Sequence, residues 1–184
     1  MVKGPKIPAP VAAVRTRRAY FDCRFGQLHV RTAFPSTGGF DEQVTLFCLH
    51  PKDGSSRLFD RLLSALADER SVYAPDLPGY GESDSSAARS TGDAAAAVAD
   101  LANDLRLRRI DVLGVDYGAE AAVALSGLRP ELVRRLVLAG PSVERLAAVK
   151  QQRLILNGAD HGDAAFEAAP HALVRQINSF LRQP

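Results

Sequence analysis

The run Leu113-Gly114-Val115-Asp116-Tyr117-Gly118-Ala119 constrains the fold more than any other part of the chain. A short apolar, partly β-branched stretch, Ile110-Asp111-Val112-Leu113, leads into it, and helix-favouring residues from 119 to 128 lead out. The pattern predicts a buried strand that turns sharply into a helix, with Gly114 and Gly118 giving the corner room to close. In such a turn the central side chain stands above the sheet, and the next backbone N–H faces any negative charge that develops there. Here those positions are Asp116 and Tyr117. Two glycines around an acid also occur as ordinary loop chemistry, so the neighbouring sequence has to decide.

Upstream lies Thr45-Leu46-Phe47-Cys48-Leu49, a buried-strand pattern, followed by the loop His50-Pro51-Lys52-Asp53-Gly54-Ser55-Ser56 and an amphipathic run over 57–67. A second strand pattern at Ser71-Val72-Tyr73-Ala74-Pro75 opens into Asp76-Leu77-Pro78-Gly79-Tyr80-Gly81-Glu82-Ser83. The order of strand, His-led loop, helix, strand and D-x-P-G-x-G-x-S resembles the N-terminal half of the α/β-hydrolase superfamily. Beyond the turn, Val133 to Pro141 resembles that family's sixth strand, and residues 20–31 resemble its opening hairpin. Near the end, Gly158-Ala159-Asp160-His161-Gly162-Asp163 with Glu167-Ala168-Ala169-Pro170 and a helix through Leu181 resembles the segment that carries the family's catalytic histidine.

The resemblance implies an α/β fold: a three-layer αβα sandwich built on a doubly wound, mostly parallel sheet of about seven strands. It is expected as a single domain over 15–184, behind a basic, proline-rich flexible tail over 1–14. Family members usually carry a lid and a further strand after the sixth strand. Here only 142–152 separates that strand from Arg153-Leu154-Ile155-Leu156, so the cap is expected to be absent and one strand to serve where two would stand. A lid excludes water and contacts substrate, so its loss predicts a shallow, open site unless a second copy of the chain covers it as a homodimer.

A 46% hydrophobic chain of 184 residues can bury a sizeable core. The net charge of +2, with Lys and Arg scattered beyond the first residues, argues against nucleic acid. Cys23 and Cys48 fall in strand patterns without metal-ligand spacing, which predicts two buried reduced thiols, no metal site and a cytoplasmic setting. The start of the chain lacks a signal-peptide core, and no apolar run is long enough to span a membrane. The alanine-rich stretch 94–97 falls in a predicted helix over 91–107 with Asp93 near its start.

The chemistry turns on what an aspartate does at such a corner. A carboxylate attacks saturated carbon to give an ester that activated water hydrolyses, whereas attack on an ester carbonyl would give an anhydride. Within the superfamily, Asp116 therefore looks like the nucleophile of epoxide hydrolases and haloalkane dehalogenases. Both need help with the leaving group: the dehalogenases use tryptophan N–H donors and this chain has no Trp, while the epoxide hydrolases use lid tyrosines. Tyr80 and Tyr117 could substitute in principle, but neither occupies a lid. The family's His-Gly loop is His50-Pro51 here, and proline has no N–H to donate. The oxyanion donors become Lys52 and Tyr117, with His50 either lining the site or organising its loop.

By the resemblance His161 is the general base, and its competing reading is a polar residue before a helix. The acid of a triad must reach the imidazole. Asp160 adjoins His161 in sequence and is poorly placed, so Glu144, shortly after the sixth strand, is the expected acid, with a solvated surface role as its alternative. Asp53, Asp76 and Glu82 are read as loop organisers. Three functional readings follow: a cofactor-independent hydrolase of a small molecule (epoxide, C–halogen or ester type), an acid/base lyase or cyclase acting on a metabolite, and a non-catalytic hydrolase-like binding protein.

Overall fold

The computed structural model describes residues 14–36, 43–140, 146, 149–156, 163–169 and 171–183. Of the expected tail only Val14 falls among them. The described strands are β1 (Arg15–Cys23), β2 (Gly26–Phe34), β3 (Leu46–Leu49), β4 (Val72–Pro75), β5 (Ile110–Val115), β6 (Val133–Ala139) and β7 (Gln152–Leu156). They form one sheet in the order β1-β2-β4-β3-β5-β6-β7. β1 with β2 and β2 with β4 are antiparallel, and the remaining pairs are parallel. The sheet is thus the expected mostly parallel one, and among the described residues β7 is the strand that follows β6 in it.

Alternation along each strand sends side chains into two cores, one on each face. Phe47, Leu49, Ile110, Val112, Leu136 and Leu138 meet α2 (Thr91–Asp104) and α3 (Tyr117–Leu128). Leu46, Cys48, Leu113, Val115, Val137 and Ala139 meet α1 (Asp60–Leu66), α4 (Asp163–Ala168) and α5 (His171–Leu181). The alanine run has its physical reason here: Ala94, Ala95, Ala96, Ala97 and Ala99 are all buried, and small side chains let α2 lie close to α3 and the sheet. In α5, Leu173, Ile177 and Leu181 recur every four residues and form its buried stripe.

The element ends depart from expectation where backbone geometry intervenes. The helix expected over 57–67 starts as a 3-10 turn, Ser56–Phe59, because the Ser55 side chain caps Arg57 N–H. The helix expected to reach 107 stops at Asp104, since Arg106 turns left-handed (φ 55°) and Leu107 N–H bonds back to the Ala102 carbonyl. Its start is fixed by a capping box, Ser90 and Asp93 each satisfying the other's backbone N–H. Arg24, in the tight β1–β2 turn, grips the Asp100 carboxylate through Nε at 2.8 Å and Nη2 at 2.8 Å and ties the hairpin to α2. Cys23 and Cys48 are both free thiols, but only Cys48 is fully buried, which pushes its pKa well up. No helix of the described residues is long and apolar enough to cross a membrane.

Candidate active site

The corner between β5 and α3 is built by close backbone approach. A Cβ on Gly114 would lie 2.6 Å from Ala119 Cα and collide with the Gly118 carbonyl, and one on Gly118 would meet the carbonyls of Leu49 and His50. Both positions therefore demand glycine. Between them Asp116 adopts φ 46° and ψ −108°. That conformation is held from two sides: Asp116 N–H donates to the Ala139 carbonyl at 2.8 Å, and its own carbonyl accepts from Glu120 N–H at 3.0 Å. The side chain is exposed and stands at the N-cap of α3, where the helix dipole favours a negative charge.

Gly140, directly after β6, completes the seat. It is left-handed (φ 67°), and a Cβ there would strike Asp116 Oδ1, so the carboxylate rests on bare backbone. Sequence reasoning missed this contact. A glycine immediately after a strand that neighbours the corner is the one signal that pointed to it.

The loop after β3 is organised by His50, which is fully buried. Its Nδ1 lies 2.7 Å from the Pro51 carbonyl and its Nε2 accepts from Leu77 N–H at 2.9 Å. Both ring nitrogens are thus bound to backbone, one donating and one accepting, which describes a neutral imidazole. Burial pushes its pKa below the ordinary value, the same direction. Asp76 does comparable work for the glycine-rich loop. Its carboxylate accepts from Ser56 N–H at 2.6 Å and Glu82 N–H at 2.8 Å, and Oδ2 sits 2.9 Å from His29 Nδ1. Burial alone would raise the Asp76 pKa, but these hydrogen bonds outweigh it and hold the carboxyl below its usual range.

Both tyrosines contact the loop that leads into α2. The Tyr117 hydroxyl is within 2.9 Å of the Arg89 carbonyl and 3.0 Å of the Ser90 carbonyl, anchoring the start of α2. Burial pushes its pKa up to about 12. Tyr80 is buried beneath Arg89, whose guanidinium lies 5.2 Å from the ring centre, and edges the His50 ring at 5.6 Å. Lys52 is exposed in the turn that follows Pro51. The expected base His161 and acid Glu144 lie outside the described residues, as does Asp160.

The strands that lead to those two residues are described, and their register is informative. Val115 pairs with Ala139, and Ala139 pairs with Leu156, so β5, β6 and β7 end level with one another beside Asp116. In sequence, Glu144 follows the end of β6 and His161 follows the end of β7.

A family model for the alpha/beta hydrolase fold matches residues 44–178. Among solved structures, an epoxide hydrolase, CorEH, is 25% identical with a TM-score of 0.58, over 70% of this chain and 42% of its own. The carboxylesterase CesB of Bacillus subtilis is 26% identical with a TM-score of 0.61, over 72% of this chain and 44% of its own. The haloalkane dehalogenase DbeA of Bradyrhizobium elkani is similar in fold, with a TM-score of 0.60 at 23% identity, over 69% of this chain and 42% of its own. The chain thus spans less than half the length of these structures.

Proposed function

The chain belongs to the α/β-hydrolase fold family, and from that premise we propose that it is a hydrolase of small molecules in which Asp116 is the nucleophile and His161 the base. The observation that carries the reading is the Asp116 carboxylate, held at a left-handed corner on a helix N-cap and seated over Gly140. Such strain persists only where the surroundings enforce it.

In the first step a carboxylate oxygen of Asp116 attacks a saturated carbon: either a C–halogen bond breaks and halide leaves to solvent, or an epoxide C–O bond breaks and its alkoxide takes a proton from water at the open site, leaving in both cases an alkyl ester on Asp116. His161 then takes a proton from water, which attacks the ester carbonyl. The tetrahedral oxyanion is held by the N–H groups of Tyr117 and Lys52, and its collapse, with the His161 imidazolium passing its proton to the departing alkoxide, frees the alcohol and restores the carboxylate. Glu144 orients the imidazole and stabilises its charged form. The level ends of β5, β6 and β7 support this assembly. Two strand spacings separate β5 from β7, roughly 10 Å, and the few residues from Leu156 to His161 reach about 17 Å when extended. His50 supports the loop, since both of its nitrogens are engaged. Only residues 140–151 link β6 to β7, too short a segment for a cap domain, which favours compact substrates at an open site.

The test is hydrolysis of short terminal epoxides, 1-haloalkanes and p-nitrophenyl esters by the full chain and by Asp116→Ala. We expect turnover of an epoxide or haloalkane that falls by roughly a thousandfold or more in the variant. Ester hydrolysis that survives Asp116→Ala, with no epoxide or haloalkane turnover, would overturn the assignment.

A further inference from the structure

A second site lies on the α1 face of the sheet, away from the corner. A cleft of about 430 Å³ runs between the first hairpin and α1, and three arginines border it, Arg17, Arg18 and Arg31, against one carboxylate, Asp60. Arg18 and Arg31 are direct partners across the β1–β2 ladder, so their side chains emerge side by side on one face. Like charges in that position repel, and a fold tolerates the pair when a negative group lies between them.

The charges present do not neutralise the cluster. Arg31 is 8% exposed, and its Nη1 bonds Asp60 at 2.6 Å, yet its Nε is buried with no hydrogen-bond partner. That Nε has no accessible surface, so a ligand in the cleft would meet Arg31 through Nη2, the nitrogen not committed to Asp60. Among the described residues neither Arg17 nor Arg18 makes an ion pair. Glu82 feels the charge of Arg18 but is itself held by Arg57 at 3.1 Å. The hydroxyls of Thr16 and Ser64 also border the cleft and add neutral donors.

We propose that this cleft binds the phosphate group of a small molecule, gripped by Arg18 and Arg31. Guanidinium forks match phosphate oxygens in pairs, and a dianion matches the surplus of positive charge better than a single carboxylate. Asp60 is the counterweight: it positions Arg31 and at the same time repels the anion. The site is independent of the hydrolase reading, because none of its residues belongs to the Asp116 corner.

Titration calorimetry of the full chain with inorganic phosphate, at ionic strength fixed with potassium chloride, tests it. Saturable binding is expected. Arg18→Gln, an exposed position that the fold tolerates, should weaken it about tenfold or more, the loss of one charge-assisted contact. Asp60→Asn should tighten it, a change opposite to that of simple structural damage. Absence of saturable heat, equal binding by Arg18→Gln, or tighter binding of succinate than of phosphate would each overturn the proposal.

Discussion

Asp116 holds a backbone conformation that costs an L residue roughly 1–3 kcal/mol, and it is kept there by Ala139, Glu120 and the bare Cα of Gly140. Gly140→Ala would drive a methyl group into the carboxylate and strain a left-handed residue. We expect a loss of about 1–2 kcal/mol in urea unfolding, with a larger fractional fall in kcat than in KM, since the nucleophile is displaced while the rest of the site stands. His50 gives the pH dependence. Its folded pKa is depressed by burial, so the neutral ring contributes stability above the ordinary value of 6.5, and that contribution is lost as pH falls toward the folded value. Urea midpoints should drop between pH 7.5 and pH 5.5, and His50→Gln should flatten that slope; an unchanged slope would show that other groups set it. The residue-scale reading from sequence was uneven. Asp116, Gly114 and Gly118 were legible because spacing alone marks a tight corner, whereas the direction of the Tyr117 hydroxyl depends on a contact with Arg89 and Ser90 that no local pattern encodes.

At the scale of elements, the strands and helices followed from apolar periodicity, and the misses sit at their ends. The short 3-10 turn before α1 and the left-handed Arg106 after α2 are set by single hydrogen bonds, which periodicity does not register. One polar knot joins elements that no local pattern connects. Asp111, fully buried on β5, accepts from Arg134 Nε at 2.8 Å and Nη2 at 2.6 Å and from Arg70 Nη1 at 3.4 Å. Arg134 and Arg135 also donate to the Leu181 carbonyl at the end of α5, at 2.8 Å and 3.0 Å, where cations complement the helix dipole. Arg70 is 1% exposed, and burial pushes its pKa down. Removing its partner strands a buried cation, so Asp111→Ala should destabilise by about 3–5 kcal/mol. Replacing Glu131, whose pairing with Arg129 is at the surface and screened by solvent, should leave stability nearly unchanged. Equal effects of the two substitutions in thermal unfolding would contradict this ranking.

At the scale of the molecule, the order β1-β2-β4-β3-β5-β6-β7 brings Asp116, Gly140 and the end of β7 to one edge of the sheet, although they are distant in sequence. Topology of this kind was legible through the resemblance of successive motifs, because each strand-loop-helix unit keeps its own signature. The arginine pairing across β1 and β2 was not, since it needs the register of two strands whose charged residues look like ordinary surface. The central claim is that the ends of β5 and β7 together present a nucleophile and its base. Its most direct measurement is the intact mass of His161→Gln after exposure to an epoxide or haloalkane that the unaltered chain turns over. Without the base, the ester should form and persist, giving a stoichiometric adduct that peptide mapping places on Asp116 and that Asp116→Ala abolishes. An unmodified protein that still turns over substrate, or an adduct on another residue, would contradict the account.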